Sequence, residues 1–220
     1  MKDKPPKMSN EDKSTSCGGG RTVLAIVLLI FICAGGVIGY FSHHTRPAGG
    51  SIEISFKIND PLRYPDDEPL DDPQTVIWLE DSRGQYVRSI LVSDWTSSEG
   101  WEKTVKLPDK TEIKEICPQW QAASGWPKNH SKKTIDAVTK ATPETGDHEI
   151  SVKCADLKLK VGTYRYCVQT SVAELHSILC IGTITIGDEP DESIATVLYK
   201  PELHKDAGGV LSDVKAVYTP

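Results

Sequence analysis

Six cysteines, six histidines and a run of carboxylates are the side chains of this 220-residue chain that could do covalent or metal chemistry. Cys117, Cys154, Cys167 and Cys180 lie beyond an apolar segment near the N-terminus, whereas Cys17 precedes that segment and Cys33 falls inside it. None forms Cys-x-x-Cys or Cys-x-x-Cys-His, so neither a zinc ribbon nor c-type haem attachment is supported. In an oxidising compartment the four outer thiols allow three pairings. A hairpin turning at Ala173 and Glu174 sets Cys167 opposite Cys180, and on the other face Tyr166 opposite Ile181 and Val168 opposite Leu179. That register needs a bulge at Gly182 to return Ile184 and Ile186 to the core. A bridge closing this loop of about a dozen residues contributes ~3 kcal/mol, and Cys117 and Cys154 remain as the other disulfide candidates. The competing reading is four free thiols, because cysteine is among the most buried residue types.

His43, His44, His130, His148, His176 and His204 are scattered, with no His-x-x-x-His or His-Glu-x-x-His. Asp66, Asp67, Glu68, Asp71 and Asp72 offer oxygens to calcium but lack the EF-hand spacing, and read as a solvated acidic loop. No metal site is expected. Gly-x-Ser-x-Gly, the P-loop and Gly-x-Gly-x-x-Gly are absent, and no nucleophile–base pair can be named. The expectation is a chain that is not an enzyme. Asn129-His130-Ser131 is a glycosylation sequon, meaningful only where the host glycosylates secreted chains.

The net charge of -6 and pI near 5.5 exclude a nucleic-acid partner, which requires a basic face to neutralise phosphates. A hydrophobic share of 38% supplies a core, so the chain is not globally disordered. Residues 22–40, TVLAIVLLIFICAGGVIGY, carry no charge and would span about 29 Å as a helix, close to the thickness of a bilayer's hydrocarbon core. Lys2, Lys4, Lys7, Lys13 and Arg21 precede this run and only Arg46 follows closely. Positive charge stays inside, so the N-terminus is cytoplasmic and the bulk of the chain outside, a single-pass topology. The rival is a cleaved signal peptide, against which stand the long leader, the long apolar run and the lack of Ala-x-Ala after it. Residues 1–21 read as a disordered cytoplasmic tail, 41–50 as a linker and 51–220 as one extracytoplasmic domain.

Strands are expected within that domain at 51–59, 75–80, 86–92, 149–154, 164–172, 177–186, 196–203 and 210–218. Ile52, Ile54, Phe56 and Ile58 alternate with polar residues, while 75–80, TVIWLE, is apolar on both faces, as in an inner strand. Residues 95–147 are less regular, with a short helix expected from Asp109 to Ile116 and stopped by Pro118. The whole predicts an all-β, immunoglobulin-like sandwich behind one transmembrane helix.

Three stretches, VIWLEDSRGQYVRSILVSDW (76–95), IDAVTKATPETGDHEISV (135–152) and VGTYRYCVQTSVAE (161–174), resemble a prokaryotic family of predicted periplasmic proteins, the domain-of-unknown-function family 2271. The resemblance implies an immunoglobulin-like fold of the flagellar hook-capping type and no established activity. The family's second motif usually reads Asp-Ala-x-Ser-Gly-Ala-Thr, similar to the acceptor sequence on which FMN transferases esterify a threonine. Here it is Asp136-Ala137-Val138-Thr139-Lys140-Ala141-Thr142, with Lys140 in place of Gly. The resemblance thus makes Asp136, Thr139, Ala141 and Thr142 candidate cofactor-binding residues, with Thr142 the acceptor hydroxyl. The favoured expectation is a membrane-anchored binding or accessory domain among envelope proteins, with no cofactor. The alternative is an electron-transfer subunit carrying covalent FMN on Thr142.

Overall fold

The computed structural model describes residues 46–59, 73–106, 110, 112–114, 116–173, 176–198 and 209–220. The expected tail at 1–21, membrane helix at 22–40 and acidic loop lie outside the described residues. Among the described residues, no helix is long and apolar enough to cross a membrane. The described end of the expected linker is docked rather than free. Ala48 is buried and its N–H donates to Leu159 O at 2.9 Å, while Arg46 forms an ion pair with Asp188.

Two sheets pack face to face. The first has four strands in the order β10 (Asp191–Ile194), β12 (Leu211–Thr219), β1 (Ser51–Ile58) and β7 (Gly146–Lys153). The second has six, in the order β11 (Thr196–Leu198), β9 (His176–Ile186), β8 (Gly162–Ala173), β2 (Gln74–Asp81), β3 (Tyr86–Ser93) and β6 (Thr139–Lys140). The alternation of β1 puts Ile52, Ile54, Phe56 and Ile58 into the space between the sheets. Ile77, Leu79, Tyr166, Val168, Ile178, Cys180, Ile184 and Ile186 meet them from the second sheet. The chain is therefore mostly β, as expected.

The outer face of β2 is just as apolar, and the reason is a third layer. Residues between β3 and β7 supply α1 (Asp94–Ser98), α2 (Pro118–Ser124), α3 (Lys132–Val138) and a separate hairpin of β4 (Thr104–Lys106) with β5 (Glu112–Lys114). Trp120, Trp126 and Val138 from this layer cover Val76, Trp78, Val92, Cys167 and Leu179 of the sheet, making a second core. The expected helix from Asp109 to Ile116 is absent: 112–114 pair as a strand with 104–106. Pro118 opens a helix instead of stopping one, since proline at the first helical position lacks an N–H that would be unpaired anyway.

The β8–β9 ladder differs from the expected register by one residue. Cys167 pairs with Ile181, Val168 with Cys180 and Tyr166 with Gly182, and the irregularity lies between Ser171 and Ala173 rather than at Gly182. A one-residue slip turns every side chain of a strand to the opposite face. Cys180 therefore joins Ile184 in the core between the sheets, while Cys167 joins the second core.

Candidate functional site

The acceptor-like segment connects the two sheets at one edge of the sandwich. Ser131 caps α3, its hydroxyl accepting from Thr134 N at 3.2 Å. Asp136 belongs to this helix. Thr139 follows it, and its hydroxyl donates back to Ile135 O at 2.9 Å. Thr139 and Lys140 then run parallel to β3, paired with Val92 and Ser93. Ala141 is exposed, Thr142 half-buried and Pro143 buried before the chain reaches β7 at Gly146. The last strand of the second sheet is thus tied by a short loop to the last strand of the first.

A groove of about 360 Å³ opens beneath that loop. Phe56 and Leu91, both core residues, form its floor together with Ile150, and Thr142, Glu144, His148 and Glu149 form its rim. The β1–β7 register sets His148 opposite Phe56 on the inward face. Their rings stack, with centroids 5.2 Å apart and planes at 25°. His148 Nε2 lies 2.6 Å from Glu144 O, a bond that fixes the imidazole against the loop. The structure thus brings Ala141 and Thr142 to the groove, while Asp136 stays on the helix and the Thr139 hydroxyl is spent on the helix end.

The four outer cysteines are all free, which corrects the expected disulfides. Cys167 and Cys180 lie on opposite faces of the sheet, Cys154 joins the core between the sheets and Cys117 the second core. Burial pushes the Cys117 thiol up to about 12, against weaker hydrogen bonds from Ser171, and Cys180 up to about 11. Burial also raises Cys154, and raises Cys167 with further help from the charge of Glu80. Such thiols stay protonated at neutral pH and are poor nucleophiles.

Two arrangements were not anticipated from the sequence. One is the buried carboxylate of Glu80, which accepts from Trp78 Nε1 at 3.0 Å and pairs with Arg165 Nη1 at 3.3 Å. Its signal was the cross-strand position of Glu80 and Arg165, visible only once β2 and β8 are paired. The other is the groove itself, whose Phe56, Leu91 and His148 come from distant parts of the chain. Among the described residues, no cluster of His, Cys, Asp and Glu is placed to hold a metal ion.

No curated protein and no solved structure matches the chain. Residues 56–196, which include the groove and the whole acceptor-like loop, match the model of the family described as predicted periplasmic protein (DUF2271), and the chain belongs to that family.

Proposed function

We propose that the chain is an extracytoplasmic accessory domain, an immunoglobulin-like sandwich held at a membrane by 22–40, that works by binding envelope proteins rather than by catalysis. The family's periplasmic description supports a position outside the cytoplasm. The observation that carries the non-catalytic part is how the reactive side chains are used. The four thiols are held protonated in the two cores, and the buried Glu80 is committed to Trp78 and Arg165. The test is fractionation and intact-mass measurement of the full chain from a bacterial host. Recovery with the membranes at full mass supports the anchor. A soluble chain beginning between about residue 35 and residue 50 overturns it, because a signal peptide would then have been removed.

A second reading is favoured by the placement of Thr142. In it the domain is an electron-transfer subunit with FMN esterified to that hydroxyl. The residues present fit such a group: Thr142 stands on the rim of an open groove, preceded by the exposed, slim Ala141, and β6 ties the segment to the sheet. Attachment needs a separate transferase and a flavin dinucleotide donor. The Thr142 Oγ–phosphorus bond forms, the donor's pyrophosphate bond breaks with release of a nucleoside monophosphate, and the hydroxyl proton passes to the transferase. The bound flavin would supply electron transfer, and the chain's own task is to hold and shield it. Coexpression with an FMN transferase tests this reading. An FMN-sized mass adduct that is absent from Thr142→Ala supports it, and an unmodified wild-type chain overturns it.

A further inference from the structure

We propose that β7 is a self-association edge, along which two copies of this chain pair antiparallel about a two-fold axis at Ile150 and join their four-stranded sheets into one. Such a pairing requires neither a flavin nor a second kind of protein.

Among the described residues, the strands that end the two sheets are very unequal. β6 has two residues, β11 three and β10 four, whereas β7 has eight, all paired with β1 in unbroken register. Edges are normally protected by short strands, bulges, proline or an inward-pointing charge. β7, GDHEISVK, has no proline and no bulge against β1, and its carboxylates and lysine all point outward. Its inner face carries Ile150 and Val152, which pack on the core yet stay only half-buried, so apolar surface there still meets water.

The backbone of this edge is open as well. Cys154 N donates to Gly50 O at 3.0 Å, one step beyond the last pair of the β1–β7 ladder. By the alternation of an antiparallel ladder, the even-numbered residues of β7 bond to β1, and Asp147, Glu149, Ser151 and Lys153 aim their N–H and C=O groups away from it. Lys153 O is taken by the turn that follows, accepting from Asp156 N at 3.1 Å. Among the described residues, the outward N–H and C=O groups of Asp147, Glu149 and Ser151 have no backbone partner. Such a row is a template for an added strand.

Charge selects a second copy as that strand. A sheet that continues with its inner face on one side sets inward residues opposite inward ones, so the axis passes through a residue. Centred on Ile150, the pairing uses all of 147–153. It places Asp147 opposite Lys153 of the second copy, twice over by symmetry, and Glu149 opposite Ser151. Asp147 already faces Lys57 across the ladder with β1, so it then lies between two lysines. On the inner face Ile150 meets its own copy and Val152 meets His148. An axis at Glu149 instead sets like charges directly opposite, which is destabilising, and an axis at Ser151 pairs only 149–153. The strand is thus complementary to itself in charge, apolar face and backbone at a single register.

One strand pair is a small interface, so the dimer is weak and is best read by trapping it. The full chain is purified in detergent with Cys17→Ser and Cys33→Ser, which leaves the four buried thiols as background, and is oxidised with and without Ile150→Cys. Across the proposed axis the two Cα atoms at 150 form a pair without backbone bonds, about 4.5 Å apart, within disulfide reach. The expected result is a crosslinked dimer with Ile150→Cys, several-fold above both the parent and a Ser151→Cys chain. Added to Ile150→Cys, Asp147→Lys or Lys153→Asp alone should lower it several-fold, because like charges then oppose. An equimolar mixture of these two variants should restore it, as should both changes in one chain. Circular dichroism confirms that each variant is folded. No crosslink in a folded Ile150→Cys chain overturns the proposal, as does a crosslink indifferent to the charge exchanges. Stronger crosslinking through Ser151→Cys than through Ile150→Cys overturns the register and the axis with it.

Discussion

Tyr166 lies across Gly182. The two face one another in the β8–β9 ladder, and a Cβ at 182 would come within 2.3 Å of the phenol ring. The ring uses that gap to reach the first sheet, where its hydroxyl donates to Ser193 O at 2.9 Å. The glycine thus serves a close approach between side chain and backbone. Gly182→Ala is expected to destabilise the domain by about 1–3 kcal/mol through overpacking. Tyr166→Phe, which keeps the ring and loses the bond, is expected to cost about 1 kcal/mol. Urea midpoints measure both; equal stability of Gly182→Ala and wild type would show that the ring can move aside without cost.

The buried thiols predict a loss of stability in alkali. Each ionises near 9.0 when unfolded, whereas folding raises Cys117 to about 12 and Cys180 to about 11. Above pH 9 the unfolded chain therefore releases protons that the folded chain retains, and the contribution of protonated burial is lost as pH rises towards the folded values. Each thiol adds a slope of up to about 1.4 kcal/mol per pH unit in that window. Unfolding free energies measured between about pH 8 and pH 10.5 should fall, and Cys117→Ala should flatten the slope by close to one proton. A slope unchanged by this substitution would mean that Cys117 ionises freely in the fold.

Glu80 and Arg165 predict an asymmetry between the partners. Glu80 has a side chain only 10% exposed, whereas Arg165 keeps 36% of its own in water. Arg165→Met leaves a buried carboxylate with uncharged donors, Trp78 Nε1 and the Cys167 thiol, in place of the guanidinium and is expected to cost about 1–3 kcal/mol. Glu80→Gln removes the charge but keeps an oxygen for Trp78, and should cost less. If Arg165→Met proves the milder change by urea unfolding, the guanidinium is not what neutralises Glu80.

The parts of the fold written in one strand at a time were legible. Ile52, Ile54, Phe56 and Ile58 announced the buried face of β1, and the two apolar faces of β2 announced a strand covered on both sides. What covers the second face was not legible, because Trp120 and Trp126 come from a seven-residue helix and the turn after it, too short to show a period. The pairing of Cys167 with Ile181 escaped for a different reason. The irregularity between Ser171 and Ala173 shifts the ladder by one residue, and nothing in the local alternation marks it. The acceptor-like loop was visible as a motif. Its groove was not, since the β1–β7 register that stacks His148 on Phe56 is a tertiary fact.

The two threonines of the motif are expected to behave differently, which tests the acceptor assignment from inside the same loop. The Thr139 hydroxyl is spent on Ile135 O at the end of α3, on a residue held in register with Val92. The Thr142 side chain belongs to the rim of the groove, past the exposed Lys140 and Ala141. Thr139→Ala should therefore lower stability by about 0.5–1.5 kcal/mol, the value of one such bond, yet still accept the flavin. Thr142→Ser should keep the adduct because it keeps a hydroxyl, and Thr142→Ala should lose it with little change in stability. Lys140→Gly, which restores the slimness of the family pattern, should raise the fraction modified, since it clears bulk from a segment that must enter the transferase. Intact mass after coexpression reads all four variants. An adduct that persists in Thr142→Ala and disappears in Thr139→Ala would move the acceptor to Thr139, and would require the end of α3 to open before modification.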